Sequence, residues 1–303
     1  APYRRLHHQQ ELDLPICSSR GSLSASLLTR GQILGASTPR RQRLRRPQLG
    51  LQLPERGKLR SYPISMKLDI LAFGAHPDDV ELSAAGTLLH YAARGKSIGI
   101  IDLTEGELGT RGTVESRYEE AAAAASILGI QHRHNLRMPD GFFENTHAAK
   151  LQIIEQIRLH QPQIVLANAL CDRHPDHARA GHMVAEACFL AGLRKIHTSH
   201  NGTTQTAHRP KLVLHYIQDY LQTPSFVQDV TPFVDQKIAA VKAYKTQFFD
   251  PNSSEPNTPI SGELFFDFLK GRMLEMGRPA GYNYAEGFVV SRWFGLKDIF
   301  SID

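Results

Sequence analysis

Two short runs of this chain join imidazole and carboxylate at spacings suited to metal and acid–base chemistry. They are Gly74-Ala75-His76-Pro77-Asp78-Asp79 and Asp172-Arg173-His174-Pro175-Asp176-His177. Zinc favours imidazole nitrogen and carboxylate oxygen, and a catalytic zinc keeps three protein ligands and one open position. His76 and Asp79 share one tight turn and His177 belongs to the other, so the two runs together offer three ligands. Asp78 lies beside a ligand and is left to take a proton from an activated water, as a general base does. His174 precedes His177 by three residues, so both can fall on one face as a helix begins. It has the chemistry to stabilise an oxyanion or protonate a leaving amine, with Asp176 orienting its ring through the second nitrogen. The competing reading is capping. His-Pro-Asp often opens a helix, with Asp as N-cap and Pro in the first turn, and Asp176 in particular fits that role. Two such motifs at strand ends favour the metal reading over two coincidental caps.

The elements that must position these residues alternate along the chain. Each motif follows an apolar run, 68–73 and 163–168, and each leads into a helical pattern. Strands are expected at about 68–74, 97–103, 131–136, 163–168, 211–217 and 287–290. Helices are expected at about 80–94, 115–128, 147–160, 177–191, 232–247 and 261–276. Near-continuous apolar strands alternating with helices imply an α/β fold, a Rossmann-like, mostly parallel sheet covered on both faces. Such sheets place their chemistry at the carboxyl ends of the strands, where both motifs fall.

Composition narrows the class. The chain has 303 residues, 41% of them hydrophobic, enough for a substantial core. No apolar run is long enough for a membrane helix, so no membrane partner is expected. Cys17, Cys171 and Cys188 form no CxxC pair and no even framework, which suits a reducing, cytoplasmic setting. The net charge of +5 conceals an asymmetry: residues 1–65 hold 12 Lys/Arg and 3 Asp/Glu, whereas the remainder holds 23 and 27. The mildly acidic body gives no case for nucleic-acid binding. Residues 1–65, with the arginine cluster 40–46, are expected to be a disordered basic extension. The first methionine is Met66, directly before the first strand. Residues 66–303 are therefore expected to be the catalytic domain, with 1–65 either upstream sequence or a transit segment.

With both motifs in place, the chain resembles the LmbE/PIG-L family of zinc-dependent N-deacetylases. The resemblance runs over about 66–303. Segments 102–113, 135–141 and 284–288 are similar to the bacillithiol-biosynthesis branch, which removes acetate from N-acetylglucosaminyl-malate. The resemblance implies zinc held by His76, Asp79 and His177, with Asp78 as base and His174 assisting the tetrahedral intermediate. It also implies that Arg117, at the start of the helix after the Gly-rich loop, holds the sugar. A tyrosine that some members bring from a later loop has no match, since Leu264 and Phe265 stand there. Arg111 is placed to meet malate carboxylates bidentately, or is a solvated loop arginine. Asp140 is placed to bind sugar hydroxyls, or simply makes a Pro-Asp-Gly turn. The Gly-rich loop has neither P-loop nor GxGxxG spacing.

The sequence thus points to a metal-dependent amide hydrolase acting on a small N-acetylglucosaminyl substrate. Its rivals are a deacetylase of a chitooligosaccharide or inositol conjugate and, in another class, a nucleic-acid-binding protein with a structural metal. Zinc is the expected ion, although other divalent metals suit such ligands. The pattern is compatible with a homo-oligomer as well as a monomer.

Overall fold

The computed structural model describes residues 67–302 except 131, 249, 251 and 294. The expectation for residues 1–65 lies outside them. The described residues belong to one compact unit, Pro63–Asp303. None of their helices is long and apolar enough to cross a membrane.

The chain runs β1 (Ile70–Gly74), α1 (Asp79–Ala92), β2 (Ile98–Thr104), α2 (Val114–Leu128), β3 (His132–Met138), α3 (His147–His160), β4 (Ile164–Ala167) and α4 (Pro175–Ala191). A two-strand ribbon, β5 (Ser199–His200) with β6 (Thr203–Thr204), follows. Then come β7 (Leu212–Tyr216), β8 (Phe226–Asp229), α5 (Val234–Lys242), α6 (Phe265–Gly277) and β9 (Ala285–Val289). The main sheet has the order β3-β2-β1-β4-β7-β9-β8. Its first five strands are parallel, and β9 is antiparallel to both β7 and β8. The order reverses direction between β1 and β4, which opens a crevice at their carboxyl ends.

The alternation of side chains along β1 explains the layers. Leu71 and Phe73 enter a core with α3 and α4, including Ile153, Ile157, Val184 and Ala187. Ile70 and Ala72 point the other way, into a core with α1 and α2, including Val80, Leu88 and Leu128. Every residue of β1 and β2 is buried. The expected mostly parallel sheet with helices on both faces is therefore present.

Three local expectations differ. β8 was not foreseen, because only two of its four residues are apolar and a partly buried edge strand lacks a clear alternation. α5 stops at Lys242 rather than near 247, because tertiary partners take the next polar groups. Glu120 accepts from the Thr246 N–H at 2.7 Å and its hydroxyl at 3.0 Å. Helix α6 begins at Phe265 rather than 261. Ser261 is held in a turn, where its Oγ accepts the Thr258 N–H at 2.8 Å.

Candidate active site

The two motifs end neighbouring strands, β1 and β4, and so face one crevice. The first turn is tight. A side chain at Gly74 would place its Cβ 2.9 Å from the His76 carbonyl, so only glycine leaves room. Asp78 occupies the N-cap of α1 with φ 125°, a region rarely adopted by a residue with a side chain. It makes no side-chain cap. Its carboxylate instead meets the Arg117 guanidinium, Nη1 to Oδ2 2.9 Å. Capping therefore does not account for Asp78, and the strain is concentrated where chemistry is expected.

Asp79 is buried and held from four sides. Its Oδ2 accepts the His76 N–H and the Asn168 Nδ2, both at 2.9 Å. Its Oδ1 accepts the Gln218 Nε2 at 3.2 Å and lies 3.0 Å from His177 Nε2. Its Oδ2 is also 3.6 Å from His76 Nδ1. On the far side of the ring, His177 Nδ1 meets Asp172 Oδ2 at 2.5 Å. A carboxylate on one ring nitrogen fixes the other toward the site, as in many carboxylate–histidine–metal arrangements.

These residues fit a divalent cation. Ligands about 2.1 Å from one zinc stand roughly 3.4 Å apart in a tetrahedron. The 3.0 and 3.6 Å separations of Asp79 from His177 and His76 bracket that value. Asp79 reaches the two rings with different oxygens. Two triples among the described residues, His76–His174–His177 and His76–Asp140–Asp176, have one ligating atom each within 4.8 Å of one another, and the expected set His76–Asp79–His177 is not one of them. The charge pattern makes the same point. Burial disfavours a charged His76, yet Asp140, Asp176 and Asp79 hold it well above the usual imidazole range. Burial likewise opposes charge on His177, but Asp79 and Asp172 raise it to about 9. Without metal, protons on these rings supply the positive charge that the carboxylates demand.

The remaining groups have distinct placements. Burial pushes Asp78 up to about 6, with Arg117 working against the rise. His174 is the N-cap of α4, and its Nδ1 accepts the Asp176 main-chain N–H at 3.3 Å. In the neutral ring the proton then sits on Nε2. Burial and the neighbouring His76 and His177 rings hold His174 below the usual range, which favours that neutral form. The expected partnership between the Asp176 carboxylate and His174 is corrected here. That carboxylate accepts from Gly141 N–H at 2.8 Å and from Arg179 at 2.5 Å, because the helix start turns it toward the 140–141 loop. Asp140 does reach the site, but His76 Nε2 and the Leu108 N–H already engage it at 2.9 and 3.0 Å.

Arg117 lines the cavity above these groups, buried, with its Nε unpartnered. Gly106 makes room for it, since a Cβ there would lie 2.8 Å from Arg117 Nη2. The Gly-rich loop thus accommodates a guanidinium. Arg111 lies elsewhere. It is buried and donates to the Phe248 carbonyl at 3.3 Å and to Ser253 Oγ at 2.5 Å, fastening the following loop. It does not line the cavity. Leu264 is largely exposed at the N-cap of α6, and Phe265 lines the cavity.

Sequence reading missed Asn168, Asp172 and Gln218 as supports. Their signal was position: each closely follows a strand at the carboxyl edge, after β4 for Asn168 and Asp172 and after β7 for Gln218.

Comparisons with known proteins bear on the family and the fold. The family PIG-L, described as GlcNAc-PI de-N-acetylase, matches residues 71–188. A diacetylchitobiose deacetylase of Thermococcus kodakarensis is 29% identical over 228 residues, 72% of this chain and 81% of the relative. A probable N-acetyl-alpha-D-glucosaminyl L-malate deacetylase 2 of Bacillus anthracis is 27% identical over 195 residues, 59% of this chain and 81% of the relative. Among solved structures, the conserved protein TT1542 of Thermus thermophilus is 36% identical with a TM-score of 0.68, covering 77% of this chain and 99% of that one.

Proposed function

This chain belongs to the PIG-L/LmbE family of metal-dependent N-deacetylases, and from that premise we propose that it binds zinc through His76, Asp79 and His177 and hydrolyses the acetamide of an N-acetylglucosaminyl compound. The observation that carries the reading is the cluster at the β1–β4 crevice. There Asp79 lies between two imidazoles, with Asp78 beside it but engaged elsewhere. When bound, such an ion supplies Lewis acidity to a water and to the amide carbonyl.

The chain's own groups account for the proton movements. Asp78, at about 6, is ionised near neutral pH and accepts the proton of the attacking water. Arg117 holds that carboxylate in place. His174, with its proton on Nε2, donates to the oxygen that gains charge as the carbonyl becomes tetrahedral. When the C–N bond breaks, the amine takes a proton back from Asp78, and acetate leaves.

For the rest of the substrate, the resemblance of segments 102–113, 135–141 and 284–288 favours N-acetylglucosaminyl-malate, in a cytoplasmic bacillithiol pathway, and the Bacillus anthracis relative supports it. The Thermococcus relative supports a chitooligosaccharide instead. Burial of Arg111 away from the cavity weighs against the malate form, because it removes the guanidinium proposed for the carboxylates. The deciding experiment measures acetate release from N-acetylglucosaminyl-malate, diacetylchitobiose and free N-acetylglucosamine, with metal analysis of the same protein. Amine and acetate appearing in equal amounts, dependent on one bound ion per chain, is expected. A metal-loaded protein that releases acetate from none of them overturns the proposal.

A further inference from the structure

The cavity does not end at the metal ligands. It has a volume of about 310 Å³ and continues from them against α6. There α6 presents an apolar stripe: Phe265, Phe268, Leu269, Met273 and Met276. The spacing is that of one helix face. Ile217 and Ile260 line the same space from outside the helix. Its exposed lining includes Leu108 and Phe268, 60% and 50% exposed, and Arg173, paired with Asp219.

Three of the four Lys and Arg side chains here face a carboxylate within the protein. Arg117 lies 2.9 Å from Asp78, Arg173 2.9 Å from Asp219, and Lys237 2.6 Å from Glu286. Arg272 donates to the main-chain carbonyls of Gln218 and Asp219, and its guanidinium lies 5.3 Å from the centre of the Phe268 ring. These are the four Lys and Arg residues that line the cavity among the described residues. A dicarboxylate placed here would find only Arg272 without a carboxylate partner, so at least one of its two charges would be unpaired, and burying an unpaired carboxylate is strongly unfavourable. A hydrocarbon group bears no such cost, and gains about fourfold in affinity for each methylene removed from water. Methionine and phenylalanine together make an adaptable wall for such a group.

We infer that the sugar substrate carries an apolar alkyl or aryl group that lodges against α6. The inference rests on the amide-hydrolase reading above and names the substrate class for that site. Two sources present the same hydrocarbon: an aglycone on the anomeric oxygen, or an acyl chain longer than acetyl on the nitrogen.

The test compares the zinc-loaded protein on two series. One is the methyl and octyl glycosides of N-acetylglucosamine, and the other is N-acetyl- and N-octanoyl-glucosamine. N-Acetylglucosaminyl-malate serves as the dicarboxylate arm, and all are kept below micellar concentrations. Binding of each to Asp78→Asn is measured by calorimetry. In one series the octyl member is expected to bind at least tenfold more tightly than its short partner, and that series identifies the source. Phe268→Ser and Ile260→Ser should each shrink the ratio of octyl to short-chain binding. Equal affinities within both series, or tightest binding of the malate conjugate, overturn the inference. Tight octyl binding without cleavage of any amide leaves the apolar site standing and removes the hydrolase reading. Equal cleavage and binding within each series does the reverse.

Discussion

At the residue scale the proposed base is Asp78, and its surroundings differ from those of its neighbour. Asp79 is enclosed by the two ring nitrogens and two amides, whereas Asp78 faces a guanidinium. Asp78→Asn is expected to lower turnover by about 10²-fold to 10⁴-fold while the ion remains bound, because it removes the proton acceptor and keeps the shape. Turnover and metal content measured on one sample check this, and loss of metal would make Asp78 a ligand. Asp172 predicts the opposite pattern. It meets His177 Nδ1 at 2.5 Å from outside the proposed ligand set, so Asp172→Asn should weaken zinc affinity by roughly 10-fold to 100-fold. Competition with a chelator measures that shift. Unchanged affinity would show that His177 holds its orientation without the carboxylate.

At the level of elements, a buried ion cluster joins α1, β2 and β3. Arg133 from β3 donates to Asp102 of β2 at 2.7 and 2.9 Å, and to Glu81 of α1 at 2.5 Å. Tyr244 adds a hydroxyl to Glu81 at 3.0 Å. Asp102 and Glu81 are 3% and 0% exposed, so removing the arginine would strand two carboxylates in the interior. Arg133→Ala is expected to cost about 3–5 kcal/mol of stability, read by denaturant unfolding of the metal-free protein. A loss under about 1 kcal/mol would mean that water reaches those carboxylates. Glu286 makes a second tie. It accepts the Gly86 and Thr87 N–H groups of α1 at 2.9 and 2.7 Å and meets Lys237 of α5. The helix carrying Asp79 is thereby fixed to β9, at the other end of the chain.

For the whole molecule, metal binding and folding should be linked through protons. His177 is raised to about 9 when metal-free. Its pairing with Asp79 and Asp172 therefore stabilises the metal-free fold fully below the usual imidazole value of about 6.5, and is lost as pH rises through about 9. A divalent ion requires the neutral ring, so its binding tightens over the same interval. Both effects make the metal's contribution grow with pH. At zinc concentrations about 100 times the dissociation constant, the gain is about 2.7 kcal/mol. That corresponds to roughly 5–10 °C in Tm for a domain of this size. Melting scans with and without zinc should show a larger shift at about pH 8.5 than at about pH 6.5. A shift that is constant, or larger at the lower pH, would contradict the proposed ligation.

The layered α/β fold and the two motifs that meet at its crevice are legible in the chain's local pattern. Local information suffices for these: apolar runs such as 163–168 mark buried strands, and His-Pro-Asp marks the turn that follows. It also distinguished His76, Asp78, Asp79, His174 and His177 by residue type and spacing. Their partners follow from how distant elements pack together. That β1 lies beside β4, rather than two strands away, is a matter of strand order, which no single segment encodes. Asn168 and Gln218 are ordinary amides in sequence and become supports because β4 and β7 end beside Asp79. Arg111 and Arg117 stand six residues apart in and just after one loop, yet one fastens a loop while the other faces Asp78. A side chain's partners depend on where distant elements dock, and that docking is set by packing of the whole core rather than by the residues on either side.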